Sequence, residues 1–488
     1  MTTASPGTWS PRRTGAGALR SRDRTNAMAE RLSPEDSRIL ALESSSIVGH
    51  TCKVVIADRT GDGVTYLRDR IARRIALAPS CRRRIVMTPH GLDAPVWADD
   101  PNFDVRRHVR KVPVASSVGD AELREIVAGL MAEQLPRDRP LWAIDVVEPL
   151  EDGTRAVIWR IHHAMADGQA ALAIGSALLW SDSTDREPDP PQLPRAKPLP
   201  SSNRLIAAAL SDRARAAGHT ARGIGRRIAS RRRVRESLEE LRGAPSAIRR
   251  ELVPEPGTSP LNAPVGRRRQ VAFVDHPLDA VHAASHSLGE GVTINDLLLG
   301  VIAGGLRHWL AARHGSIGKL RVQVPVSLHR EDEAPGAVPN RDSFVNLELP
   351  VEEPDAARRV LAVNEQMRTR KHDHDAEQLY TVFADVGKVS THLFELAHRV
   401  ASNPHIFALS VSNVRGPAGT QYLAGGRIRG VYSLAEIAPH HALRVSAISF
   451  AERIAIGLCA DGDAIPELPE LAEGIERSLV ELTDGVTA

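Results

Sequence analysis

The chain holds only three cysteines, Cys52, Cys81 and Cys459, in 488 residues. Their wide spacing supplies neither a disulfide framework nor the close ligand pairs of a structural metal site. Sparse, scattered cysteine suits a reducing, cytoplasmic compartment. No apolar run approaches the roughly 18–20 residues that a membrane-spanning helix needs. Residues 1–27 are rich in Arg, Ser, Thr, Gly and Pro, and they lack the apolar h-region of a secretory signal. They fall in an expected disordered tail, residues 1–32, and Met28 is the expected natural start. Nucleic-acid motifs are absent, and a net charge of +3 is too weak to imply that partner. A mildly basic chain suits an acidic ligand or a membrane surface instead.

Two kinds of catalytic equipment are also missing. There is no Gly-x-Ser-x-Gly elbow and no cysteine in an evident activating setting, so covalent catalysis finds no support. No Gly-rich phosphate loop is present, which argues against ATP or a dinucleotide. No cofactor and no metal are expected. His372-Asp373-His374-Asp375 reads as a solvated face, because adjacent residues scatter around a helix rather than converge on one ion.

What is present is a soluble globular composition, 42% hydrophobic and 25% charged. Its length predicts two domains. Strands are predicted over residues 52–58, 142–147, 156–161, 321–326 and 406–412, with a hairpin from 443–450 and 454–459. Helices are predicted over 120–135, 169–180 and 293–313, the last capped by Thr293 with Asp296 three residues on. Gly315 suits its end. A further helix begins near Glu467. This mixture predicts an α/β (α+β) fold, with an N-terminal domain at 33–183 and a C-terminal domain at 265–484. Between them, residues 184–264 form a Pro-rich and Arg-rich crossover linker. Its segment 204–250, including Arg231-Arg232-Arg233, reads either as a solvated helix or as a surface for anionic lipid headgroups.

The chemistry centres on His162-His163-Ala164-Met165-Ala166-Asp167-Gly168. Side chains alternate along a strand, so His163 falls with Val157, Trp159 and Ile161, and His162 with Ala156, Ile158 and Arg160. The two rings therefore cannot serve one cavity as equals. One can be a base while the other packs or hydrogen-bonds. Asp167 stands where the strand turns into a helix and is placed to cap it by accepting a backbone N–H; it is expected to hold the loop, with an arginine as a candidate partner, rather than to move protons. Gly168 permits tight packing there. The second pair, His440-His441, lacks a following Asp-Gly and reads as loop or interface histidines.

His162-His163-x-x-x-Asp167-Gly168 resembles the HHxxxDG signature of coenzyme-A-dependent acyltransferases and peptide-synthetase condensation domains. More narrowly, the chain resembles the bacterial wax ester synthase/diacylglycerol acyltransferase family. The likeness runs in order through Ser33-Pro34-x-Asp36 with Leu42-Glu43, the block from Pro95 to Asp104, Pro140-Leu141-Trp142, Asn295-Asp296, Pro325-Val326-Ser327-Leu328 and Ser412-Asn413-Val414-x-Gly416-Pro417. It departs from the family pattern at Pro149-Leu150, His329, Pro339-Asn340, Arg415 and the stretch from Tyr432 to Ala442.

The resemblance implies two chloramphenicol-acetyltransferase-like domains with a tunnel at their interface. It implies transfer of a long-chain acyl group from acyl-CoA, a co-substrate, to diacylglycerol or a long-chain alcohol. By position His163 would be the general base, with His162 and Asp167 supporting and no acyl-enzyme. Asn295 and Asp296 would organise the site from the second half, at a helix start whose free N–H groups favour negative charge. Peripheral contact with an anionic membrane or lipid-droplet surface is expected. Two alternatives remain open: a condensation-type enzyme using a carrier-protein-bound acyl donor, and a non-catalytic lipid-binding relative.

Overall fold

A computed structural model describes residues 30–182, 196–223, 251–252, 259–315, 319–327, 342–389 and 403–484. In the first half the strands are β1 (Glu30–Arg31), β2 (His50–Ala57), β3 (Arg83–Val86), β4 (Val96–Asp99), β5 (Val109–Lys111), β6 (Trp142–Val147), β7 (Arg155–His162) and β8 (Trp180–Ser181). In the second they are β9 (Arg269–Pro277), β10 (Leu320–Ser327), β11 (Asp342–Leu349), β12 (Leu409–Arg415), β13 (Tyr422–Leu423), β14 (Gly426–Ala435), β15 (Leu443–Phe450) and β16 (Arg453–Asp461). A seven-stranded sheet runs β5-β6-β7-β2-β14-β13-β8, and a six-stranded sheet β11-β10-β12-β15-β16-β9. The fold is thus mixed α/β with two sheet-rich halves.

The halves are not divided cleanly along the chain. Strands β13 and β14 belong by position to the second half, yet they complete the first sheet, where Val431 pairs with Val55 and Ser433 with Lys53. Order also begins inside the expected tail, because Glu30 and Arg31 pair with Trp97 and Val96 and Leu32 is buried, just ahead of α1 (Pro34–Ala41). Leu261, inside the expected linker, is fully buried in the second core. Residues 224–250, most of the Arg-rich segment, and the departures at His329 and Pro339 lie outside the described residues. The described part of that segment lies within the helix Ser202–Gly223.

Local sequence accounts for the elements that position the site. Every residue of β7 is buried, and alternation sends Val157, Trp159 and Ile161 into a core with Leu67 and Ile71 of α2 (Gly63–Arg74). Ala156 and Ile158 enter a second core with Leu123, Val127 and Met131 of α3 (Asp120–Met131). That helix stops four residues short of the expected 135; Pro136 disfavours helical conformation in the residue before it. Strand β12 starts at Leu409 rather than 406, because Asn403 closes a turn, accepting the His405 N–H on its side chain at 2.9 Å and the Ile406 N–H on its carbonyl. The helix Ile294–His314 has the Thr293–Asp296 capping box and ends at Gly315, φ 69°.

Candidate active site

The histidine pair sits at the end of β7, and its two rings have different fates. His162 is fully buried. Its Nδ1 accepts the Ala164 N–H at 3.0 Å, so Nε2 carries the ring proton and donates it to Glu43 Oε1. Both nitrogens of His162 are therefore committed. Glu43 is held from the other side by Arg137 at 2.5 Å. Burial opposes ionisation of Glu43, but the hydrogen bonds from His162 and Arg137 outweigh it and hold its carboxyl below the usual range.

Gly49 locks the same corner. Its carbonyl accepts the His163 N–H at 2.9 Å, its φ is +69°, and a Cβ there would sit 2.7 Å from His162 Nε2. Only glycine meets both conditions without strain. His163 itself is half-buried, with no side chain hydrogen-bonded to its ring among the described residues. Burial, with the charge of Arg444 and the nearby His162 and Lys53, pushes its imidazole down to about 3. It is neutral at physiological pH and has a lone pair to give.

Asp167 is the N-cap of α4 (Gly168–Leu178), accepting the Ala170 N–H at 2.7 Å. The cap is direct; no arginine pairs with Asp167 among the described residues. A Cβ on Gly168 would come within 3.1 Å of Val414 Cγ2, so the Asp-Gly turn seats a residue of β12 from the second half. Asp167→Ala is expected to cost about 1 kcal/mol through the lost cap, lowering the melting temperature and activity together. An inactive variant with an unchanged melting temperature would give Asp167 a direct chemical role instead.

Asn295 and Asp296 are placed elsewhere in the bonding pattern. Asp296 Oδ2 accepts the Thr293 N–H at 2.8 Å, the Thr293 hydroxyl at 2.7 Å and Asn364 Nδ2 at 2.9 Å. Asp296 is buried in the second half and Asn295 is half-buried. Among the described residues no hydrogen bond or ion pair joins either to the His162–Gly168 loop. His441 stacks on Phe407 with ring centroids 4.1 Å apart, a packing histidine. His372 and His374 are exposed, and no group of metal-ligating side chains gathers among the described residues.

Residues that sequence reasoning passed over now come to the site. Glu43 carried a signal, since Leu42-Glu43 belonged to one of the ordered blocks. Lys53 carried a fainter one, as a charge among the apolar residues of a strand. Lys53 is 2% exposed, donates to Ser433 Oγ at 2.7 Å, and is pushed by burial down to about 8. Arg444 is half-buried, and burial lowers it from its ordinary value.

Residues 32–298 match the wax ester synthase/diacylglycerol acyltransferase catalytic domain, and residues 339–483 match the C-terminal domain of the same family. Among curated proteins, the chain is 30% identical over 475 residues to "Putative diacyglycerol O-acyltransferase Rv1760" of Mycobacterium tuberculosis, covering 94% of this chain and 91% of that one. It is 31% identical over 471 residues to "Putative diacyglycerol O-acyltransferase Rv3087" of the same organism, covering 93% and 96%. Among solved structures, the wax ester synthase/diacylglycerol acyltransferase from Marinobacter aquaeolei VT8 shares the fold with a TM-score of 0.65 at 21% identity, covering 94% of this chain and 100% of that one. The first condensation domain of the calcium-dependent antibiotic synthetase shares it at 0.53 and 17% identity, covering 95% and 98%.

Proposed function

Because the chain belongs to the wax ester synthase/diacylglycerol acyltransferase family, we propose that it moves a long-chain acyl group from acyl-CoA to the hydroxyl of diacylglycerol or a long-chain alcohol, with His163 as general base. The observation that carries the residue assignment is the unequal histidine pair. His162 has spent both ring nitrogens on Ala164 and Glu43; His163 is neutral, half-buried and uncommitted.

The acceptor hydroxyl gives its proton to His163 as its oxygen attacks the thioester carbonyl. The tetrahedral adduct collapses, the carbon–sulfur bond breaks, and the CoA sulfur takes the proton back. Holding both substrates in line supplies much of the rate by proximity. Direct transfer agrees with the cysteines: all three are buried, and burial pushes the Cys52 and Cys81 thiols up to about 12, which suppresses nucleophilic thiolate. No described helix is long and apolar enough to cross a membrane.

The test is product analysis with labelled long-chain acyl-CoA supplied together with diacylglycerol and hexadecanol. Triacylglycerol or wax ester, formed with equimolar CoA release, is the expected result. Turnover only with a carrier-protein-bound donor would replace acyl-CoA in this reading. Lipid binding without turnover from any donor would remove the enzyme reading.

A further inference from the structure

One cation from each half, Lys53 and Arg444, acts electrostatically on His163, and no carboxylate is ion-paired with either among the described residues. Lys53 lies in step with Val55 and Ala57 on β2, the face of the first sheet that packs with α2 and α4. Its partner is the neutral hydroxyl of Ser433. On β15, alternation sends Leu443, Val445 and Ala447 into the second core and Ile448 and Phe450 into the first. Arg444 and Ser446, in step with Ile448, therefore face the first half.

Neighbouring contacts support that direction. Ser446 Oγ lies 3.2 Å from Ser412 Oγ, two residues along β12 from Val414, which packs on Gly168. Gly457, paired with Ser446, lies against the Ser433 carbonyl so closely that a Cβ would collide with it. The Ser433–Gly457 contact thus joins the strand holding Lys53's partner to the row of Arg444. Both cations act electrostatically on His163. Arg444 makes no hydrogen bond or ion pair among the described residues, and its Nε is buried without a partner. Glu436, the acid that reaches Arg444 electrostatically, is instead hydrogen-bonded to Arg269 at 3.1 Å.

A cation set against a neutral hydroxyl, as Lys53 is, or against an acid shared with another arginine, as Arg444 is, is incompletely neutralised and favours an anionic ligand. We propose that Lys53 and Arg444, one from each half, form the oxyanion site that receives the charge developing on the thioester oxygen. The inference rests on the acyl-transfer reading above. As the acceptor oxygen bonds to the carbonyl carbon, the π electron pair moves onto the carbonyl oxygen and the hydroxyl proton moves to His163. On collapse the pair re-forms the carbonyl, the carbon–sulfur pair leaves on sulfur, and the proton returns from His163 to it. Two fixed cations that disfavour imidazolium in the resting enzyme are balanced by the oxyanion when imidazolium forms. That is preorganisation directed at the transition state.

The test uses the full chain carrying Lys53→Met or Arg444→Met, beside the charge-retaining Lys53→Arg and Arg444→Lys. Each methionine variant is expected to lower kcat by about 10²–10³-fold with KM for long-chain acyl-CoA shifted by no more than about threefold. The charge-retaining variants should stay within about tenfold of wild type. They also decide the matter if a methionine variant does not fold, since losses beyond about a hundredfold in them would overturn the proposal. Methionine variants with kcat near wild type, alongside an inactive His163→Ala, would overturn this proposal and leave the base in place. An active His163→Ala would instead overturn the reading it rests on. A free long-chain fatty acid presents the same anionic oxygen chemistry. Methionine variants that keep kcat but escape inhibition by that acid would make the pair a carboxylate site, which also overturns the oxyanion assignment.

Discussion

His163→Ala is expected to lower the rate of ester formation by about 10²–10⁴-fold, the range that a positioned general base contributes. The protein should stay folded. His163 is half-buried, and its structural tie is its backbone N–H to Gly49, which alanine keeps. The loop is held instead by His162, by the Asp167 cap and by Val414 over Gly168. The measurement is single-turnover ester formation together with the melting temperature and acyl-CoA affinity. Loss of chemistry with both others preserved supports the base; a rate within about threefold of wild type removes it.

Glu43→Ala is the second large effect, and it acts through His162. Removing the carboxylate strands a buried Nε2–H and one side of Arg137. An unsatisfied buried donor costs about 1–3 kcal/mol, so the melting temperature should fall clearly. Activity should fall too, because the His162 ring that braces Ala164 loses its anchor and the next residue is the base. Glu43→Gln separates geometry from charge. The amide oxygen can still accept from His162, so Glu43→Gln should recover most activity if Glu43 only fixes orientation. If both variants lose activity equally, the negative charge itself is required. Wild-type stability and rate in Glu43→Ala would dismiss the contact altogether.

Much of this site could be read locally. Alternation along a buried strand is enough to separate His162 from His163, since it needs only the period of two. An Asp-Gly turn after a strand and a Thr-x-x-Asp start before an apolar helix report their caps in the same way. Those signals act over a few residues, and the structure places Asp167 and Thr293 as caps. Asp296 accepts from Thr293, as that capping pattern requires, and also from Asn364, which no local pattern announces.

The long-range partners had no such local signature. Glu43 meets His162 across 119 residues, and Lys53 meets Ser433 across 380. A single strand's pattern states which face is buried but not which strand lies beside it. That is why β14 could be read within the second half while completing the first sheet. By itself the sequence determined the mixed α/β class, the family resemblance, and the inequality of the two histidines, because periodicity and capping are properties of short segments. Only the tertiary structure decided that His162 is fastened to Glu43 and that the charges of Lys53 and Arg444, one from each half, act on His163, because pairing between distant strands depends on how the cores pack together.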